Sequence, residues 1–379
     1  MAEPRSTACA LSRLPDEWAA GSAVALDRLQ RTLPPCGDPV ALSPSRSLRA
    51  ALIVVAAGAV ALTGCGSSSS DGDDGDATEA ASTAGSGEFT PVTVDNCGFE
   101  VTIDSPPERV VTIKSTSTEM MLALGLADRL VGTAFADGPV PGEYAGDLDG
   151  VPVLSDNVPG QEALLDVEPD FVYGGWESNF GADTAGERPS LADFGIATYV
   201  SPAACQDPEY QPDPMTFDEL FAEIREVASF FGATDRADAL IAEQQALLDQ
   251  VEAPGEGLTA LWYSSGEDAP FVGGDIGAPA MMMRELGLEN IFADVHATWS
   301  NVSWEQVIDR NPDVIVLVDA AWNTADSKIE RLEGNPATAA LPAVAEQRYL
   351  RLPFPAAEAG VRNAQAVVDL AAQLEELGL

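Results

Sequence analysis

The sequence predicts an α/β fold of two similar lobes, each a mostly parallel sheet flanked by helices, joined by one long helix. Three observations carry that prediction. The pattern Glu-x-[Leu/Val]-[Leu/Ile]-Asp-x-x-Pro-Asp plus an apolar run occurs twice, as Glu162–Tyr173 and Glu305–Val316, at a constant offset of 143 residues. Short apolar runs alternate with helix signals on both sides of the chain's middle. Between them, residues 234–251 contain neither Pro nor Gly and keep Ala237, Leu240, Ile241, Gln244, Leu247, Leu248 and Val251 at helical spacing.

In chain order, 92–103 reads as a strand hairpin around Asn96-Cys97-Gly98, closed by Pro106-Pro107. Residues 109–114 form a short strand, after which Thr116 and Glu119 are expected to cap a helix that ends at Gly125. Strands are expected at 130–135, 151–154, 171–174 and 197–201. Beyond the linking helix, roughly 27 Å long at 1.5 Å per residue, a second series covers 258–264, 271–273, 314–318 and 349–352. An Ala/Leu-rich helix from about Ala357 finishes the chain.

Each repeated unit is a two-turn helix stopped near its Pro that feeds a strand buried on both faces. Ser303 and Gln306 form a capping box before the second copy, and Gly160 takes that place before the first. Glu162 and Glu305 therefore fall in first helical turns, where the macrodipole favours a carboxylate. On the residues alone, dipole stabilisation is a sufficient account of both.

The 379 residues carry 19 Lys and Arg against 61 Asp and Glu, a net charge of −42. Such an excess excludes nucleic acid as a partner, because that binding is driven by neutralising phosphates with basic side chains.

Arg46 and Arg49 precede an apolar run, 50–61, too short to span a bilayer but right for a secretory segment. Leu62-Thr63-Gly64-Cys65 follows it and resembles the processing box of bacterial lipoproteins, in which the Cys is acylated and becomes residue one. Residues 40–65 are thus expected to be a lipoprotein signal peptide. Some forty-five residues, acidic ones among them, stand before Arg46, so residues 1–39 are expected to be an over-extended start. The stretch 66–89 is acidic, lacks large apolar residues over nearly its whole length and reads as a tether. With Cys65 acylated, Cys97 and Cys205 remain as an even pair in an oxidising compartment, where a disulfide is expected; two buried free thiols are the alternative. The lobes then span 90–233 and 254–379, with the linking helix over 234–253.

This order of signal, tether, lobe, helix and lobe resembles the substrate-binding lipoproteins of ABC importers, in the helical-backbone class that carries ferric siderophores, haem and corrinoids. The resemblance covers roughly 91–379. Its most specific marks are Pro107-Glu-Arg-Val-Val, the two Glu…Pro-Asp units and the single linking helix. It implies a class III periplasmic-binding fold, a monomer that delivers a small-molecule ligand to an ABC permease and its ATPase, and docking through Glu162 and Glu305. A subgroup proposed to import a deazaflavin coenzyme precursor is similar in Ile113-Lys-Ser-Thr, Phe135-Ala-Asp-Gly-Pro, Gly175-Trp-Glu-Ser-Asn, Ser201-Pro-Ala-Ala-Cys, Leu261-Trp-Tyr-Ser-Ser-Gly and Ala321-Trp-Asn-Thr-Ala.

Ligands of open α/β sheets sit beyond the strands' carboxyl ends. The residues there are Lys114, Ser115, Trp176, Asn179, Ser201, Tyr263, Ser264, Ser265, Trp322 and Phe354, with His296 and Trp299 in the loop before the second repeat. Trp176, Tyr263, Trp299 and Trp322 offer flat faces to a planar ligand. Lys114, Arg188 and Arg362 are candidate cations; Arg362 could instead pair with Glu358, and Arg188 could merely start a helix. A single histidine and no HExxH or CxxC leave no metal centre, and no catalytic residue or cofactor is expected. The rival readings are a surface hydrolase using His296 with Ser264 or Ser265, and a surface receptor without a transport partner.

Overall fold

A computed structural model describes residues 89–379. The expectations about residues 1–88, namely the start, the signal peptide, acylation of Cys65 and the tether, lie outside the described residues.

The two repeated units fall in two different sheets. In the first lobe, β1 (Val92–Asn96) and β2 (Phe99–Ile103) form an antiparallel hairpin. Its Cys97-Gly98 turn has φ of 53° and 74°, the positive pair a tight hairpin turn demands. The strands β3 (Val110–Ile113), β4 (Leu130–Ala134), β5 (Val153–Ser155), β6 (Phe171–Gly174) and β7 (Ala197–Val200) then build a parallel sheet in the order β5-β4-β3-β6-β7. Helices α1 (Ser115–Ala123), α2 (Gln161–Leu165) and α3 (Arg188–Asp193) connect them. Two longer helices follow, α4 (Phe217–Phe230) and α5 (Thr234–Leu248).

In the second lobe β8 (Thr259–Ser265) pairs antiparallel with β9 (Phe271–Gly273) and parallel at its start with β10 (Glu289–Asn290), with α6 (Ala278–Glu285) between these two. An antiparallel edge strand, β11 (Trp299–Asn301), precedes α7 (Trp304–Arg310) and the central β12 (Val314–Asp319). The chain closes with α8 (Ala325–Gly334), α9 (Pro342–Ala345), β13 (Tyr349–Pro353), α10 (Phe354–Ala357) and α11 (Asn363–Glu376).

Alternation along the buried strands explains how the lobes join. On β6, Phe171 and Tyr173 face one core and Val172 the other; on β12, Val314, Val316 and Val318 face one and Ile315 and Leu317 the other. The inner faces share a single apolar cluster that runs through α4, α5 and α11. Sheets so coupled move as a stiff pair, since a packed core resists shear.

Three local expectations are corrected. The α1 N-cap is Lys114, at φ 91°, rather than Thr116, and Glu119 is spent elsewhere. The linking helix is shorter than 234–251 and ends at Leu248. It follows a second helix, α4, which Thr216 caps through the Glu219 amide. The capping box at Ser303 and Gln306 is present, and Gly160 is the N-cap of α2. Glu162 and Glu305 are both exposed in first turns.

Candidate functional site

The carboxyl ends of β3, β6, β7, β8 and β12 converge on a cavity of about 440 Å³ walled by both lobes. One wall is organised by Trp176, immediately past β6. Its amide donates to Asn179 Oδ1 at 3.0 Å, and its ring meets Phe135 edge-on at 5.9 Å between centroids. Its Nε1 crosses to the other lobe and donates to Glu358 Oε2 at 3.0 Å. The preceding Gly175 is required by close approach, because a Cβ there would lie 2.7 Å from Lys114 Cβ and Thr116 Oγ1.

Lys114 stands behind this wall. It is 1% exposed, forms an ion pair with Asp137, and its Nζ lies 3.5 Å from the Trp176 ring centroid, 4.3 Å from Phe135 and 5.3 Å from Phe354. Burial pulls the ammonium below the ordinary lysine range, and Asp137 opposes that pull. Asp137 is itself held by Ser115, whose hydroxyl accepts the Asp137 amide at 2.8 Å. The buried strand-end cation is thus satisfied by a carboxylate and three aromatic faces.

The opposite wall comes from the second lobe. Ser264 and Ser265 end β8; Phe271 on β9 stacks on Trp299 of β11 at 5.9 Å and 21°. Trp322 follows β12, is 64% exposed, and meets Phe354 edge-on at 5.9 Å. A third side is the loop after β7, contributing Ser201, Cys205, Gln206 and Gln211. A disulfide from Cys205 to Cys97 ties this loop to the β1–β2 hairpin.

Glu358 is the only ionisable side chain among the lining residues. Burial raises its carboxyl above the ordinary range, while the Trp176 hydrogen bond and the Lys114 charge hold it down.

Of the side chains the sequence points to, Trp176, Ser201, Ser264, Ser265, Trp299, Trp322 and Phe354 meet at the cavity. Lys114 and Ser115 lie one layer behind, and Asn179 is buried beneath Trp176. Four lie off it. Arg188 is not a cleft cation: its guanidinium is consumed by Asn96 O at 2.7 Å, Asn96 Oδ1 at 2.9 Å and the Thr198 hydroxyl at 2.9 Å, sewing the hairpin to β7. Arg362 pairs with Glu119 of the first lobe, Nε to Oε2 at 2.6 Å, and not with Glu358. Tyr263 points into the second lobe's outer core, edge-on to Trp304 at 5.3 Å. His296 faces two carboxylates, with Nε2 2.9 Å from Asp213 and Nδ1 3.4 Å from Asp275, rather than Ser264 or Ser265.

Sequence reasoning missed Phe271, Thr298, Gln211 and Glu358 as lining residues and Asp137 as the partner of Lys114. Asp137 carried a signal, two residues past the expected end of a strand; Glu358 carried none beyond its spacing from Arg362. Among the described residues no group of three or more His, Cys, Asp or Glu is placed to hold a metal ion.

Residues 110–356 match a family model described as periplasmic binding protein. A vitamin B12-binding protein of Pectobacterium carotovorum is 25% identical over 221 residues, covering 56% of this chain and 71% of the relative. An uncharacterised ABC transporter substrate-binding lipoprotein of Bacillus subtilis is 26% identical over 269 residues, 69% of this chain and 77% of its own. Among solved structures, an ABC-type Fe3+-hydroxamate transport system from Saccharomonospora viridis superposes with a TM-score of 0.65 at 25% identity, covering 75% of this chain and 98% of that one.

Proposed function

As the chain belongs to the periplasmic binding protein family, we propose that it captures a small molecule between its lobes outside the cell membrane and hands it to an ABC permease and its ATPase. The observation that carries this is the aromatic-walled cavity of about 440 Å³ built from the strand ends of both sheets. That size and lining suit a small planar ligand. The shared inner core supports only a small closure on binding. Glu162 and Glu305 would be the docking points, each exposed, one on each lobe, acting more on orientation than on affinity because exposed ion pairs contribute about 0.2–1 kcal/mol. The protein would act as a monomer, with no chemistry of its own, tethered through acylated Cys65; the lipoprotein named above supports that anchor.

Of the ligand classes the resemblance implies, the planar ring of a deazaflavin coenzyme precursor suits this cavity better than a ferric siderophore or a corrinoid, neither of which is both small and planar. The cavity fits haem less well, since none of its lining residues is a His, Tyr, Met or free thiol able to ligate iron. The test has two parts. Native mass spectrometry of protein from its own host should show one bound small molecule, released unchanged. Glu162→Ala with Glu305→Ala should abolish uptake while leaving ligand binding intact; uptake untouched by the double substitution would favour a receptor.

A further inference from the structure

We propose that Glu358 selects the ligand by charge: the cleft takes a planar molecule that offers an N–H donor, uncharged or cationic, to this carboxylate and brings no anionic group between the lobes. The inference rests on the cavity being the capture site, as proposed above.

The argument begins with what the cavity lacks. A ligand carrying carboxylate, phosphate or catecholate groups needs cations where it lies, since an unpaired charge in an apolar hollow is expensive. Each nearby cation is already committed. Lys114 is screened from the cavity by the Trp176 ring and neutralised by Asp137. Arg188 is saturated at the hairpin and Arg362 at Glu119. The one lining residue able to carry charge is therefore a carboxylate.

Glu358 is also positioned as a receptor. Its Oε2 is fixed by the Trp176 indole, and no group among the described residues donates to Oε1. An incoming N–H would complete the pair. The rest of the lining is neutral: hydroxyls of Ser264, Ser265 and Thr298, amides of Gln206 and Gln211, and the ring faces. An anion would meet repulsion from Glu358 with no cation in the lining to pair with, which is specificity by exclusion.

The test uses the folded protein and three probes: riboflavin, an uncharged planar heterocycle with a ring N–H; riboflavin 5′-phosphate, the same ring with an anionic group; and haemin, a planar macrocycle bearing two propionate carboxylates. Binding is followed by tryptophan fluorescence and calorimetry in wild type and Glu358→Gln, which keeps an acceptor for Trp176 but removes the charge. Riboflavin is expected to bind wild type at least about tenfold more tightly than its phosphate, and Glu358→Gln to narrow that ratio to about threefold or less by admitting the phosphate. Equal or tighter binding of the phosphate or haemin to wild type overturns the charge inference while leaving capture between the lobes standing. Silence from all three probes counts against both. A ratio unchanged in Glu358→Gln overturns the assignment to this residue.

Discussion

Arg362→Ala should cost far more than a surface ion pair can explain, because of what it leaves behind. Glu119 is 1% exposed and its carboxylate is held across the lobe boundary by the Nε and Nη2 of Arg362, which also donates to Pro139 O at 2.8 Å. Burial already raises the Glu119 carboxyl above its usual range, and Arg362 is the principal opposing influence. Deleting the arginine strands a charge in the joint between the lobes. Breaking one side of a buried pair costs about 3–5 kcal/mol, against about 0.2–1 for an exposed pair. Arg362 keeps 16% of its side chain in contact with solvent, so the lower end, about 3 kcal/mol, applies. The double replacement Glu119→Leu with Arg362→Met removes both charges and should recover all but about 1 kcal/mol. The deficit in Arg362→Ala should also shrink as pH falls, because a protonated Glu119 has no charge to desolvate. Urea unfolding followed by tryptophan fluorescence at pH 7 measures each variant, compared at constant slope. A loss below about 1 kcal/mol in Arg362→Ala, or a double variant no better than the single, would refute the idea that this pair is a buried joint.

Three further outcomes are expected. Glu223 is 6% exposed beneath the Tyr173 hydroxyl at 2.9 Å, and burial raises its carboxyl to about 7. Between the ordinary value near 4.5 and about 7 the native state holds a proton that the unfolded chain has released, so stability falls as pH rises through that window, by up to about 3 kcal/mol. Glu223→Gln should flatten this profile and be the more stable protein at pH 8; a wild-type profile that rises from pH 5 to 7 at the same rate as the variant's contradicts it. Replacing both Cys97 and Cys205 by Ser opens a link across 108 residues, worth about 2–5 kcal/mol by chain entropy. Because Cys205 lies in the wall, the same change should weaken ligand binding measured by calorimetry, and unaltered affinity would show that the loop holds its shape unaided. Gly175→Ala forces a methyl against Lys114 and Thr116 and should cost about 1–3 kcal/mol while shifting the Trp176 emission; an unshifted spectrum with native stability would mean that the wall is not close-packed.

The two-lobe architecture was legible because it depends on local chemistry written twice. A capped helix, a Pro stop and a doubly buried strand announce themselves in a dozen residues, and their recurrence in separate sheets follows. Sequence reading passed over α4, although Phe217, Leu220, Phe221, Ile224, Val227 and Ala228 keep helical spacing behind the Thr216 cap. The aromatic lining was half legible. Trp176, Trp299 and Trp322 sit where strand-end or nearby-loop logic puts them, whereas Tyr263 shares that placement but its strand's pleat turns it the other way.

Charge pairing was decided by the tertiary structure alone. Lys114 could be recognised as a buried strand-end cation, but its choice of Asp137 depends on where β4 exits, and Arg362 reaches Glu119 across 243 residues in preference to a carboxylate four residues earlier. Secondary structure and repetition are fixed by interactions within a few residues, so the chain's order declares them. Ion pairs and a ligand cavity are fixed by which distant surfaces are desolvated together, and that is known only once both lobes have closed on a common core.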